Sequence, residues 1–101
     1  LDYRLGRGNV YFTLGMLDPA ERDFNAALEL DPENPYAWYT LASIYEGRMD
    51  RERAMDALEK AARYAEEQDV DELVAMSRYR MGMLMQLQMA PPSVVAPSPT
   101  P

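Results

Sequence analysis

Apolar residues recur at three- and four-residue intervals through five stretches of the chain, the spacing that gathers side chains on one side of an α-helix. The stretches run near residues 2–15, 19–31, 35–47, 51–67 and 70–89, and no strand is predicted. Their boundaries carry helix-start chemistry. Asp18-Pro19-Ala20-Glu21 predicts an N-cap, a proline at the first helical position and an acid at the third. Asn34-Pro35 repeats that signal before YAWYTLASIYEG. Asp50 caps RERAMDALEKAARYAEE, and Asp69-Val70-Asp71-Glu72 caps the last apolar stretch. DPENP at 31–35 is a turn that no helix crosses.

A period of thirty-four organises these helices. Tyr11, Tyr45 and Tyr79 stand 34 apart, as do Ala20 and Ala54, Phe24 and Leu58, and Ala27 and Ala61. Gly8 and Ala42, both small, keep the same offset three residues before their tyrosines. Such a period means stacked copies of one supersecondary unit. Small pairs (Gly8 with Ala20, Ala42 with Ala54) let two helices approach closely while Tyr and Phe or Leu fill the space beside them.

On these residues the chain resembles the tetratricopeptide repeat family. Its pattern W-x-x-L-G-x-x-Y … A-x-x-x-F … A … P is met by Trp38, Leu41, Ala42, Tyr45, Ala54, Leu58 and Ala61. The first copy carries Gly8, Tyr11, Ala20, Phe24, Ala27 and Pro32. The resemblance covers about residues 1–89 and implies an all-α fold, a right-handed superhelix of antiparallel helix pairs with a concave groove. Repeats are expected at 1–34 and 35–68, a long closing helix as a partial third repeat at 69–90, and an extended Pro-rich tail at 91–101. Arg4 and Arg7 stand where the family prefers Trp and Leu, so a weak or solvated first helix is expected. The third copy has Met76 at the small position and lacks a second helix.

The closing helix is apolar on more than one side. Its face through Leu73, Met76, Tyr79, Met83 and Leu87 is expected to pack on the second repeat. Met81, Leu84, Met85 and Met89 then lie on other faces, and a helix apolar all round is normally buried all round. Single exposed apolar residues are ordinary, but a methionine-rich cluster marks a contact surface. The expected neighbour is the start of another copy, where Leu1, Tyr3, Leu5 and Phe12 lack a partner. Such head-to-tail contact gives open fibres unless the rotation closes a ring.

In tetratricopeptide repeat proteins, ligand peptides lie along the first helices of successive repeats. Carried over by offset, that places Leu5, Tyr39 and Leu73 in one row, Asn9, Ser43 and Ser77 in a second, and Phe12, Glu46 and Arg80 in a third, with Tyr36 beside them. Singly these are ordinary packing and surface residues. As a set they describe a groove for an extended peptide rather than a small molecule. Members that grip chaperone tails use Lys, Asn and Arg at set positions. Only Asn9 matches; Leu5, Thr40, Val70 and Val74 hold the other places, so chaperone-tail binding is not expected.

PPSVVAPSPTP has five prolines in eleven residues and favours polyproline II. A linker is the ordinary fate of such a segment. Val94 and Val95 nonetheless give it an apolar anchor, expected to lie in a groove or seam of its own domain or a neighbour's. Ser93, Ser98 and Thr100 would suit O-linked sugars if the chain is exported.

Composition narrows the chemistry. At 101 residues and 48% hydrophobic, the chain suits one small folded domain. Seventeen acids against ten bases give a net charge of −7, and the bases (Lys60 and scattered arginines) form no stripe, which argues against nucleic acid. Without Cys or His the chain lacks thiolates and the commonest general base and zinc ligand. Ser43 and Ser77 therefore have no histidine to activate them. The acidic run Glu66, Glu67, Asp69, Asp71 and Glu72 lacks a calcium-loop pattern, and no cofactor site is predicted. No apolar run reaches the ~20 residues of a membrane span. The start at Leu1 suits a processed or excised piece, and Arg over Lys with abundant Ala and Pro is compatible with a GC-rich bacterial genome. The resulting expectation is a soluble, non-enzymatic protein-interaction scaffold. The alternative is a self-assembling subunit that stacks head-to-tail into an oligomer or filament, extracellular in that case, with the closing helix and tail bridging copies.

Overall fold

A computed structural model describes residues 3–89, which form five helices: α1 (Tyr3–Thr13), α2 (Leu17–Leu30), α3 (Pro35–Gly47), α4 (Arg51–Glu67) and α5 (Asp71–Met89). No strand occurs among the described residues. Each helix packs on the next, and α1, α3 and α5 also meet in succession, so the helix pairs stack as a solenoid. The expectations for Leu1, Ser93, Val94, Val95, Ser98, Thr100 and the Met89 side chain lie outside the described residues. Among the described residues, no helix is long and apolar enough to cross a membrane.

The small positions are where helices touch. A Cβ on Gly8 would stand 3.0 Å from the Phe24 ring and 3.2 Å from the Asp23 Cβ. Ala20, Ala42 and Ala54 have no exposed surface. One apolar cluster joins α2 to α3 through Ala20, Phe24, Leu28, Ala37, Leu41 and Ile44. A second joins α3, α4 and α5 through Ala42, Ala54, Ala57, Leu58 and Leu84. Burying a Phe, Leu or Ile side chain contributes about 1.5–3 kcal/mol. An exposed ion pair such as Lys60–Asp56 contributes about 0–1 kcal/mol. The apolar seams hold the stack.

Local chemistry sets the turns. The Asn34 side chain accepts hydrogen bonds from the Tyr36 and Ala37 amides at 3.0 and 3.2 Å, and Asp50 accepts from the Arg53 amide at 3.2 Å. The 31–34 turn is further held by Trp38 Nε1 donating to the Pro32 carbonyl (2.9 Å) and Gln68 Nε2 donating to the Glu33 carbonyl (2.6 Å). The other three turns share one conformation, with Gly15, Met49 and Asp69 at φ of 78°, 63° and 60°. In each, the next amide bonds back five residues: Met16 to Tyr11, Asp50 to Tyr45, Val70 to Ala65.

That shared turn corrects two expected caps. Completing it at Gly15 starts α2 at Leu17, so Met16 is the cap residue and makes no side-chain bond. Asp18 sits inside the first helical turn and pairs with Arg48. Asp69 is the left-handed residue that ends α4, and α5 begins at Asp71. The first helix is largely solvated, with Gly8 its one buried residue, and it is tied down by a polar contact. Arg7 lies across α2 and donates to both oxygens of Asp23, at 2.8 and 2.7 Å, replacing an apolar contact with a bidentate one.

Candidate functional site

α3 and α5 meet along one edge, and that edge builds the site. Residues 46 and 80 hold the same repeat position with opposite charges. Arg80 Nη2 donates to Glu46 Oε1 at 2.6 Å, while Nη1 donates to the Tyr39 hydroxyl and to Ser43 Oγ, both at 3.2 Å. Its guanidinium also lies 5.4 Å from the Tyr39 ring centroid. Burial alone would lower the Arg80 pKa; the hydrogen bonds to Glu46 and Tyr39 outweigh it and raise it. The cation is therefore fixed, and the second Glu46 oxygen, Oε2, is buried without a donor.

Beside this pair opens a pocket of about 400 Å³ lined by Tyr39, Glu46, Tyr79, Arg80, Met83, Leu84 and Leu87. One end is polar and internally neutralised by the ion pair; the wall along α5 is apolar. Tyr79, Met83 and Leu87 are 70%, 46% and 59% exposed, so three turns of one helix present apolar surface.

Of the expected groove residues, Tyr39, Ser43, Glu46 and Arg80 come together here. Leu5 and Phe12 are half-buried and pack on the first apolar cluster. Asn9 and Tyr36 are exposed away from the pocket lining. Leu73, 3% exposed, is buried, in keeping with its place on the face expected to pack, and so does not line the groove; Ser77, 0% exposed, is a correction, since α5 turns it inward, and its Oγ has no partner.

The expected faces of α5 also exchange. Leu84 is 8% exposed within the second apolar cluster and Met81 packs against it, so neither is free for self-association. Met76, Tyr79, Met83 and Leu87, expected to pack, face outward. The reason lies in the repeat. Tyr45 on α3 packs among the core clusters, whereas the same position on α5, Tyr79, has no following helix among the described residues. Met85 and Tyr3 are exposed as expected. Tyr79, Met83 and Leu87 are the site residues that sequence reasoning missed.

Comparison with known proteins agrees with this architecture. Two family models described as tetratricopeptide repeat match the chain, one over residues 2–34 and one over 24–68. A TPR repeat-containing protein of Methanocaldococcus jannaschii is 28% identical over 80 residues, which is 78% of this chain and 14% of that protein. The chain thus spans a small part of that relative's length. With its stacked helix pairs and these matches, the chain belongs to the tetratricopeptide repeat family.

Proposed function

We propose that the protein is a non-enzymatic interaction module that receives an extended segment of a protein partner at the α3–α5 pocket. Tetratricopeptide repeats generally mediate protein–protein interaction, which supports the class. The observation that carries the finer reading is the pinned Arg80, whose three hydrogen bonds leave a preformed, charge-neutral floor beside an apolar wall. A preformed apolar pocket with a few convergent polar groups suits side chains of an extended peptide. Display selection of peptides on the full chain tests it. Selected peptides should lose about tenfold affinity for Met83→Glu, roughly 1.4 kcal/mol. Equal binding to that variant would place recognition elsewhere.

A self-assembling subunit is the second reading. It is favoured by exposed apolar residues at both ends of the stack, Tyr3 and Val10 on α1 with Leu14 in the turn after it, against Met76 and Met85 on α5. Sedimentation across a hundredfold range of concentration (roughly 1–100 µM, where weak interfaces assemble) separates the two. A growing species supports assembly, and a constant one removes it.

A further inference from the structure

We infer that two copies of this chain pair through α5, its outward face packing antiparallel on the same face of the second copy and hiding Tyr79 and Met83. The consequence for binding rests on the peptide site proposed at the α3–α5 pocket, because that wall and the pair use the same two side chains.

The face is apolar and open. Met76, Tyr79 and Met83 are exposed along one side of α5, with Ala75, Gly82 and Gln86 beside them. That side lies across the helix from Leu73, Ser77 and Leu84, which are buried.

Spacing says what fits there. Met76, Tyr79, Met83 and Gln86 follow one another at intervals of three, four and three, the spacing of a two-helix seam. The intervals read the same in both directions. An antiparallel copy therefore brings Met76 opposite Gln86 and Tyr79 opposite Met83, each pair occurring twice. A thioether against an aromatic ring is a favourable contact. Nothing lies within 4 Å of the place a Cβ on Gly82 would take, so a second helix can come close beside Tyr79 and Met83.

Charge sets the direction. Among the exposed residues of 75–87 the one charged side chain is Arg78, which pairs with Glu66 at 3.4 Å. Two chains of net charge −7 can thus meet here without opposing carboxylates. Asp71 and Glu72 begin α5 and are exposed. A parallel pair would set two such acidic ends side by side. An antiparallel pair centred between Tyr79 and Met83 holds them about 30 Å apart, beyond the screening length of ~8 Å at physiological ionic strength.

Size sets the strength. From Met76 to Gln86 is about 15 Å of helix. One helix pair of that length buries less than the roughly 1,200 Å² of a standard interface, so the dissociation constant is expected in the micromolar range. Such a pair is reversible. It also excludes a peptide from the shared wall, so the apparent peptide affinity falls as protein concentration rises.

The chain has no cysteine, so a single introduced one reports the contact. Gly82→Cys sets an exposed thiol close to the two-fold axis. With diamide as oxidant it should form a covalent dimer about tenfold faster than Val10→Cys. Ala75→Glu puts a carboxylate in the seam but outside the pocket lining. Sedimentation from roughly 1 to 100 µM should take the unsubstituted chain from one copy to two and no further, and Ala75→Glu should raise its dissociation constant about tenfold. A display-selected peptide should bind Ala75→Glu at least as tightly as the unsubstituted chain and should return dimers of the latter to monomers. Growth beyond two copies, equal crosslinking at Val10 and Gly82, or undiminished pairing of Ala75→Glu overturns the proposal. A peptide that binds intact dimers overturns the shared wall. If the unsubstituted chain stays monomeric while selected peptides lose affinity on Met83→Glu, the pair falls and the groove reading stands. If the pair forms and the selected peptides ignore Met83→Glu, the pair stands and the groove reading has failed.

Discussion

Arg80 on α5 and Glu46 on α3 join at 2.6 Å, two residues of opposite charge that stand 34 apart in the chain. Both are partly buried, and the Tyr39 and Ser43 hydroxyl oxygens are the guanidinium's other acceptors. A partly desolvated pair of this kind couples more strongly than a surface one. A double-mutant cycle of Glu46→Ala and Arg80→Ala, read by urea denaturation, should give a coupling of about 1 kcal/mol. Additive single effects would mean that the pair only decorates the groove.

Arg7 and Asp23 predict a pH dependence. The hydrogen bonds from Arg7 hold the Asp23 pKa below the usual carboxylate range, against the opposing effect of burial. A carboxylate with a lowered folded-state pKa binds fewer protons when native than when unfolded. Its contribution is complete above the unfolded value of about 3.9 and is lost as pH falls through the folded value. Melting temperatures measured between pH 7 and pH 2 should therefore fall less steeply on the acid side in Asp23→Asn, although that variant is less stable at pH 7. An unchanged acid limb would show that the pair is equally formed in the unfolded chain.

Ser77 is fully buried and its Oγ has no hydrogen-bond partner. An unsatisfied buried hydroxyl costs about 1–3 kcal/mol. Ser77→Ala should thus stabilise the fold by about 1 kcal/mol, seen as a higher urea midpoint at constant slope. A loss of stability would reveal a bond that the hydroxyl makes in solution.

Gly15 and Met49 hold the same turn position 34 residues apart, both left-handed, and only one of them is glycine. Methionine at φ 63° carries steric strain of about 1 kcal/mol. Met49 is 83% exposed, so removing its side chain disturbs little packing. Met49→Gly should raise stability by about 0.5–1 kcal/mol and Gly15→Ala should lower it by about 1 kcal/mol. Thermal denaturation of both variants checks the opposite signs.

The helices were legible because caps and prolines are local signals. Asn34 and Asp50 act on amides two or three residues away, and the 34-residue period aligns Gly8 with Ala42 and Phe24 with Leu58. The inward face of α5 was not legible. Leu73, Ser77, Arg80 and Leu84 recur at helical spacing, and so do Met76, Tyr79, Met83 and Leu87. The second series is the more hydrophobic, so it reads as the buried one. The first wins because Arg80 finds Glu46, Tyr39 and Ser43, partners 34 to 41 residues earlier that no local pattern reveals. One signal was available: positions 46 and 80 are equivalent in the repeat and opposite in charge. The expected groove rows used the 34-residue offset that aligns Glu46 with Arg80 but not their opposite charges, and the apolar wall depended on the rotation of α5.

The most direct measurement is a residue-resolved chemical-shift map of the full chain saturated with a display-selected peptide. Shifts should concentrate at Tyr39, Tyr79, Met83 and Leu87 and leave Val10 and Met49 unmoved. A map centred on α1 and α2, or one with no movement on α5, contradicts the α3–α5 pocket as the binding surface.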